Sequence, residues 1–225
     1  GSFRDAPGRS VRARDDLQQL LNEACGPVFP GCALAVWRAG ESWLSLCAGQ
    51  LELPSTGASP GDAPAPVTRD TIYDAASLTK ALVIAPLMMR RLAEGRLALD
   101  APVATSSALL STLDPDITFR HLAAHRSGLP AWEPYYRALL EDGSPCVSPD
   151  EAQAKVLQGI LEAPLGTRPG ATKLYSDLGY MLLGWWLEEE SNTPLDAQFQ
   201  LEIAQPLDLD AGFKPTPSAR IAPTE

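Results

Sequence analysis

A single pair of adjacent β-like runs restricts the possible folds of this chain more than any other feature. Residues 31–38 (GCALAVWR) and 42–50 (SWLSLCAGQ) are separated by Ala39, Gly40 and Glu41, a spacing that predicts an antiparallel hairpin. If Ala39-Gly40 is the turn, Cys32 lies opposite Cys47. A two-stranded hairpin is only marginally stable in water, so we predict that it belongs to a larger sheet that this chain does not complete.

The remaining patterns divide the chain into two regions of one α+β domain. Residues 1–70 contain an amphipathic helix (13–24), the hairpin and a proline-rich loop (53–68). Residues 71–225 are expected to be mainly helical. The expected helices cover 78–94, interrupted at Pro86, then 148–163, 178–190 and 195–204.

The charge balance excludes some classes of partner. The chain has 28 acidic and 18 basic residues and a net charge of −10, which disfavours nucleic acid and anionic membranes. Its longest nearly unbroken apolar run, 81–89, is far shorter than the roughly 20 residues that cross a bilayer. The opening Gly1-Ser2 resembles a cleavage scar and is followed by no leader-like segment. A cytoplasmic location is therefore favoured, or a periplasmic one if a leader was removed.

Ser77-Leu78-Thr79-Lys80 forms an S-x-x-K sequence that could carry nucleophilic chemistry. A serine in the first turn of a helix lies at the positive end of the helix dipole, which favours a developing anion. Lys80 follows on the same helical face, and a lysine crowded by apolar neighbours loses its proton readily and can act as a base. The alternative is a serine helix cap beside a solvated lysine.

Tyr175-Ser176-Asp177 is a second candidate, at the entry to the helix expected at 178–190. A tyrosine there can move a proton between a serine and a leaving group if a nearby cation lowers the pKa of its phenol. The alternative is that Asp177 caps the helix and Tyr175 is a packing residue. The two interpretations do not exclude each other.

The sequence predicts no metal and no organic cofactor. His121 and His125 are spaced to share a helical face, as in a zinc pair, but the glutamate of H-E-x-x-H is missing and no third ligand suggests itself. A helix end closed by Gly128 and Pro130 is the preferred interpretation. The four cysteines show no C-x-x-C spacing.

Three segments, in order, resemble motifs of the serine β-lactamase and penicillin-binding protein family. They are YDAASLTK (73–80), HLAAHRSGLP (121–130), similar to the family's HTSGLP, and PGATKLYSDLGYMLLGWWLEE (169–189), similar to its PG…YSN.GY.LLG. The similarity extends over about 31–213 and is closest to the class C-like branch, which includes esterases and D-alanyl-peptidases.

This resemblance implies a fold and a set of roles. The implied fold is an α/β sandwich, with an antiparallel sheet flanked by helices, plus an all-helical region. The resemblance makes Ser77 the acylated nucleophile, Lys80 its activating partner and Tyr175 the general base. It also places Asp177 at a substrate-binding position. The implied substrate is a small ester, amide or peptide.

Two departures from the family pattern affect the expected function. Asp177 stands where many class C members have a substrate-binding asparagine; a carboxylate cannot donate that hydrogen bond and should keep Lys80 protonated. This favours an ester or another acyl substrate over a penicillin. A rival register starts an S-D-N motif at Ser176, but Leu178 replaces its asparagine, and we prefer the Tyr175 register.

The second departure is that no K-T-G or H-x-G motif follows Tyr175. That motif lies on a strand that supplies an oxyanion-hole N–H in the family. We therefore expect the chain to lack the C-terminal part of the domain, which a separate fragment could supply. Losing an oxyanion donor costs about 10²–10³ in rate, so the segment alone should be nearly inactive.

Two functional hypotheses follow. The first is a serine acyl hydrolase that forms an acyl-enzyme at Ser77. The second is a non-catalytic ligand-binding protein on the same fold, which the missing third motif would also suit. A defunct enzyme would be expected to lose Ser77, Lys80 or Tyr175, and the presence of all three favours catalysis.

Overall fold

The computed structural model describes residues 10–53, 64–141, 144–213 and 221–223. Helices and two-stranded antiparallel sheets occur together, which confirms the predicted α+β class. The chain forms two compact units, one comprising 1–75 with 214–225 and the other comprising 76–213. Within the described ranges, no helix combines the length and apolar character needed to cross a membrane.

The first unit is built on one hairpin and one helix. Helix α1 (Ser10–Ala24) precedes strands β1 (Gly31–Arg38) and β2 (Glu41–Gly49). Alternate residues of β2 are buried, as the period-two pattern of a half-buried strand requires: Leu44, Leu46 and Ala48. Helix α1 contacts β2, where the side-chain amide of Gln18 donates a hydrogen bond to the backbone carbonyl of Cys47 at 3.0 Å.

The hairpin turn is where the sequence predicts it, but the predicted register is wrong by one residue. Ala39 and Gly40 both have positive φ, 53° and 81°, as a type I′ turn requires. A β-bulge then places one extra residue in β2, because Trp37 pairs with Ser42 while the preceding residue of β1 pairs with Leu44. Cys32 therefore lies opposite Ala48, and Cys47 opposite Ala33.

The second unit is mainly helical. Its α-helices are α2 (Ala85–Ala93), α3 (Val103–Ser106), α4 (Phe119–Ala123), α5 (Pro149–Leu161), α6 (Asp177–Ser191) and α7 (Leu195–Phe199). The other helical segments in the described part of this unit are two π-helical turns, Lys80–Ile84 and Gln200–Ala204, and a 3-10 helix, Tyr135–Leu139. Two short strands, β3 (Leu140–Glu141) and β4 (Ser144–Pro145), pair antiparallel.

Pro86 interrupts the helix expected at 78–94 in a specific way. The Lys80–Ile84 π-helical turn precedes α2, so Pro86 lies in the first turn of α2, where its missing N–H is not needed. Gly95, with φ of 72°, follows the end of α2.

At α5 the expected capping box is present. The Ser148 hydroxyl accepts a hydrogen bond from the Glu151 N–H, and the Glu151 side chain accepts one from the Ser148 N–H.

Helix α6 is the centre of the hydrophobic core. Its buried side chains cover about half of the helix surface: Leu178, Leu182, Leu183, Trp186 and Leu187. On the other half Met181 is exposed, so the predicted burial of this apolar helix is correct for one side only. Trp186 packs edge-on against Phe119 of α4, with ring centroids 4.6 Å apart. This packing holds α6 against α4.

Arg91 joins α2 to α6 inside the protein. Its guanidinium is 2% exposed and donates to Glu190 at 2.9 Å, to Glu202 at 2.8 Å and to Gln198 at 3.0 Å. The charged partners offset the free energy needed to bury this guanidinium. Without them, the buried charge would strongly destabilise the fold.

Candidate active site

Ser77 and Lys80 lie one helical turn apart, with their side chains in contact. The Lys80 backbone N–H donates to the Ser77 carbonyl, and its Nζ donates to Ser77 Oγ, both at 3.1 Å. Ser77 is exposed and follows Ala76, whose φ is 42°. A non-glycine residue with positive φ is strained and occurs preferentially at functional sites.

Asp177 approaches the same lysine from the start of α6. Its Oδ1 lies 2.6 Å from Lys80 Nζ, although the two residues are 97 positions apart in the sequence. Burial lowers the pKa of Lys80, but hydrogen bonds to Asp177 and Tyr175 raise it, and the pKa lies above its ordinary value. The expectation of an easily deprotonated lysine is therefore wrong, and the expectation that Asp177 keeps Lys80 protonated agrees with this geometry.

Tyr175 completes the group of predicted site residues. Lys80 Nζ lies 4.9 Å from the centre of its ring. Hydrogen bonding to Ser77, and then to Lys80, lowers the pKa of the Tyr175 phenol, while the charge of Asp177 acts in the opposite direction. The structure thus brings Ser77, Lys80, Tyr175 and Asp177 together in one place.

The cap of α6 is Ser176 and not Asp177, which corrects one alternative from the sequence. Ser176 Oγ accepts from the Gly179 N–H at 3.3 Å and donates to the Pro130 carbonyl at 2.6 Å. Ser176 is 1% exposed, so its hydroxyl is committed to the fold. This placement favours the register in which Tyr175, which is half exposed, begins the motif.

Tyr180 is a further aromatic residue at this site that the sequence analysis did not single out. Its ring centre lies 5.7 Å from Lys80 Nζ, and its hydroxyl donates to the Ala123 carbonyl at 3.0 Å. Burial raises the pKa of its phenol. The clue in the sequence is its position three residues after Asp177, which places both on one helical face.

His121 and His125 do not share a helical face. Helix α4 ends at Ala123, and His125 lies beyond it with φ of 57°. His121 instead forms a capping box with Thr118. The ring of His125 stacks against Tyr175 and Tyr180. Across the described ranges, no three histidine, cysteine, aspartate or glutamate side chains are grouped so that they could hold a metal ion.

A cavity of about 690 Å³ opens beside these residues within the second unit. Ser77, Lys80, Asp177 and Tyr180 contribute to its lining. The other walls are largely apolar and come mainly from α5, α6 and the start of α7; they include Ile84, Leu139, Val156, Met181, Trp185 and Leu195. A mainly apolar cavity with a few converging polar groups is typical of a small-molecule site.

The Beta-lactamase family model matches residues 17–225 of this chain. Esterase EstB of Burkholderia gladioli is 34% identical over 178 residues, 74% of this chain and 44% of the esterase. N-acetylmuramyl-L-alanine amidase of Bacillus subtilis is 26% identical over 92% of this chain and 49% of the amidase.

The fold is also similar to that of a class C beta lactamase, with a TM-score of 0.75 and 18% identity over 97% of this chain and 56% of that protein. This chain spans about half the length of the relatives that it matches. The family match nevertheless covers most of its residues. The chain belongs to the serine β-lactamase and penicillin-binding protein family.

Proposed function

We propose that this chain carries the nucleophile and the base of a serine acyl hydrolase from the class C-like branch of the family. The observation that carries the proposal is the convergence of Ser77, Lys80 and Tyr175, which come from segments almost a hundred residues apart. We further propose that residues 1–70 and 71–225 are two regions of one catalytic domain.

Tyr175 is the general base in this proposal, because the pKa of its phenol is lowered while Lys80 remains an ammonium ion. The Tyr175 phenolate takes the proton of Ser77, and Oγ forms a bond to the substrate carbonyl carbon. The tetrahedral intermediate then expels its alcohol or amine, which receives the proton from Tyr175. Water, deprotonated by the same phenolate, then adds to the acyl carbon; the bond from that carbon to Ser77 Oγ breaks, the acid leaves, and Oγ takes back the proton from Tyr175.

Lys80 and Asp177 set the charge at this centre. The Lys80 ammonium donates to Ser77 Oγ and stabilises negative charge on the oxygens of Ser77 and Tyr175. Asp177 balances that cation at 2.6 Å. A carboxylate cannot donate a hydrogen bond to a substrate amide, and the adjoining cavity is mainly apolar. We therefore propose esters or amides with an apolar acyl group as substrates, in preference to penicillins.

The test is intact mass spectrometry before and after treatment with a fluorophosphonate probe. We expect one adduct at Ser77, formed slowly because the expected activity of this segment is low. It should be absent in Ser77→Ala and retained in Ser106→Ala, a control at an exposed serine of α3. A series of nitrophenyl esters with lengthening acyl chains then tests the apolar cavity.

The alternative function, a non-catalytic ligand-binding protein, predicts a different result. In that case the chain binds an apolar ester without turnover, and the probe leaves Ser77 unmodified. Ester hydrolysis that persists in Ser77→Ala would contradict the proposed acyl-enzyme.

A further inference from the structure

A single residue, His125, is bonded to the chain on both sides of Tyr175. Its carbonyl accepts the Leu174 N–H at 2.9 Å, and its ring Nδ1 accepts the Ser176 N–H at 3.0 Å. Its ring also lies against the Tyr175 ring, with centroids 4.4 Å apart. Three contacts from one residue therefore fix both the backbone and the ring plane of Tyr175.

His125 is itself held firmly by its surroundings. Its ring also stacks on that of Tyr180 in α6, with centroids 4.9 Å apart. His125 lies just beyond the end of α4, and its backbone N–H donates to the carbonyl of Leu122, within α4, at 3.1 Å. Its φ of 57° is unusual for a residue other than glycine, and such strain persists only where the surrounding fold imposes it.

The hydrogen bond to Ser176 requires an imidazole ring without a proton on Nδ1. Burial lowers the pKa of His125, and the positive charges of Lys80 and Lys173 lower it further, while hydrogen bonding with the Ser176 backbone and the negative charge of Asp177 act in the opposite direction. With the phenols of Tyr175 and Tyr180, these are the titratable groups that face the ring. Protonation would replace the acceptor with a donor aimed at the Ser176 N–H.

We propose that His125 is a positioning residue whose neutral ring holds the Tyr175 phenol against Ser77 and Lys80, and that protonation of the ring at acid pH releases it. The proposal rests on the proposed role of Tyr175 as the general base. It assigns His125 no contact with substrate.

Two variants separate the hydrogen bond from the ring stacking. His125→Asn keeps an acceptor oxygen where Nδ1 lies and suits positive φ, but it has no ring. His125→Phe keeps a ring and has no acceptor. His121→Gln, on α4, is the control for the loss of a histidine. The chain, checked for folding by circular dichroism, is labelled at Ser77 with a fluorophosphonate over a range of pH.

We expect His125→Phe to lower the labelling rate by about 10- to 100-fold, since small displacements of a reacting group cost this much. His125→Asn should lower the labelling rate by a smaller factor. Its rate should also no longer fall at acid pH through protonation of the His125 ring. His121→Gln should label like the unaltered chain. A folded His125→Phe with an unchanged labelling rate and pH profile would overturn the proposal.

Nuclear magnetic resonance of the unaltered chain tests the proposal without a variant or a probe. With ¹⁵N-histidine and ¹³Cζ-tyrosine labels, we expect an unprotonated Nδ1 at neutral pH and a change at Tyr175 as His125 titrates. A protonated Nδ1, or a His125 titration that leaves Tyr175 unaffected, would refute the coupling. If Ser77 is not labelled but the coupling is seen, the proposed function fails and the link between His125 and Tyr175 stands.

Discussion

Replacing Asp177 with asparagine removes the negative charge closest to Lys80 and leaves the size of the side chain unchanged. Asp177 Oδ1 lies 2.6 Å from Lys80 Nζ. Coulomb's law gives about 1.6 kcal/mol for two unit charges at this separation even in bulk water, the most screened case. The proton of the ammonium is then held about 15-fold less tightly in Asp177→Asn.

The same substitution acts on Tyr175 in the same direction. The charge of Asp177 raises the pKa of the Tyr175 phenol, so its removal lets the phenol ionise at lower pH. If labelling of Ser77 requires a Tyr175 phenolate and a Lys80 ammonium, its pH profile has an acid limb from Tyr175 and an alkaline limb from Lys80, in addition to the acid-side step proposed for His125. Both limbs should therefore move to lower pH in Asp177→Asn.

The assay is the rate of fluorophosphonate labelling at Ser77, followed by intact mass from mildly acid to alkaline pH. Asp196→Asn is the matched control, because Asp196 is likewise an acidic residue in the first turn of a helix. Its profile should coincide with that of the unaltered chain. A profile of Asp177→Asn that stays in place or moves to higher pH would refute the assigned charges.

Three further substitutions test the fold, each by urea unfolding. Arg91→Met removes the buried cation that Glu190 and Glu202 share and leaves them only the more exposed Arg96 and Arg90. It should lower the free energy of unfolding by about 2 kcal/mol, and an unchanged free energy would contradict the role of Arg91. Ser148→Ala removes the capping box of α5 and should lower the free energy of unfolding by about 1 kcal/mol. An unchanged free energy would show that the cap does not stabilise the fold. Gly128→Ala places a Cβ 2.2 Å from the Thr167 carbonyl oxygen and should destabilise far more than Gly95→Ala, which has similar φ and open space; equal effects would exclude the clash.

The local parts of the site could be predicted from the sequence. Ser77 and Lys80 are three residues apart at the start of a helical segment, and this spacing alone brings their side chains together. Short sequence patterns likewise predict the capping box at Ser148 and the helix that begins at Asp177. The contact between Lys80 and Asp177 is different in kind, since only the family resemblance suggested it.

Other features depend on tertiary structure that no local pattern encodes. The two-residue turn at Ala39-Gly40 is recognisable, but the bulge that follows it is not, and one extra residue changes every later pair. His125 looked like the second member of a helical pair with His121. Its backbone leaves the helix at that point because its carbonyl and ring bind the residues on either side of Tyr175.

The two ion pairs that join α6 to the segment from Lys80 to Arg91 have a consequence for how the sequence can vary. One pair, Lys80 with Asp177, lies where both segments begin, and the other, Arg91 with Glu190, lies near where both end. Deleting one residue between the pairs rotates one segment by about 100° relative to its partner, so both contacts could not form together. The number of residues between the two ends is thus as constrained as the motifs themselves, and homologues should differ here by substitution and not by insertion or deletion.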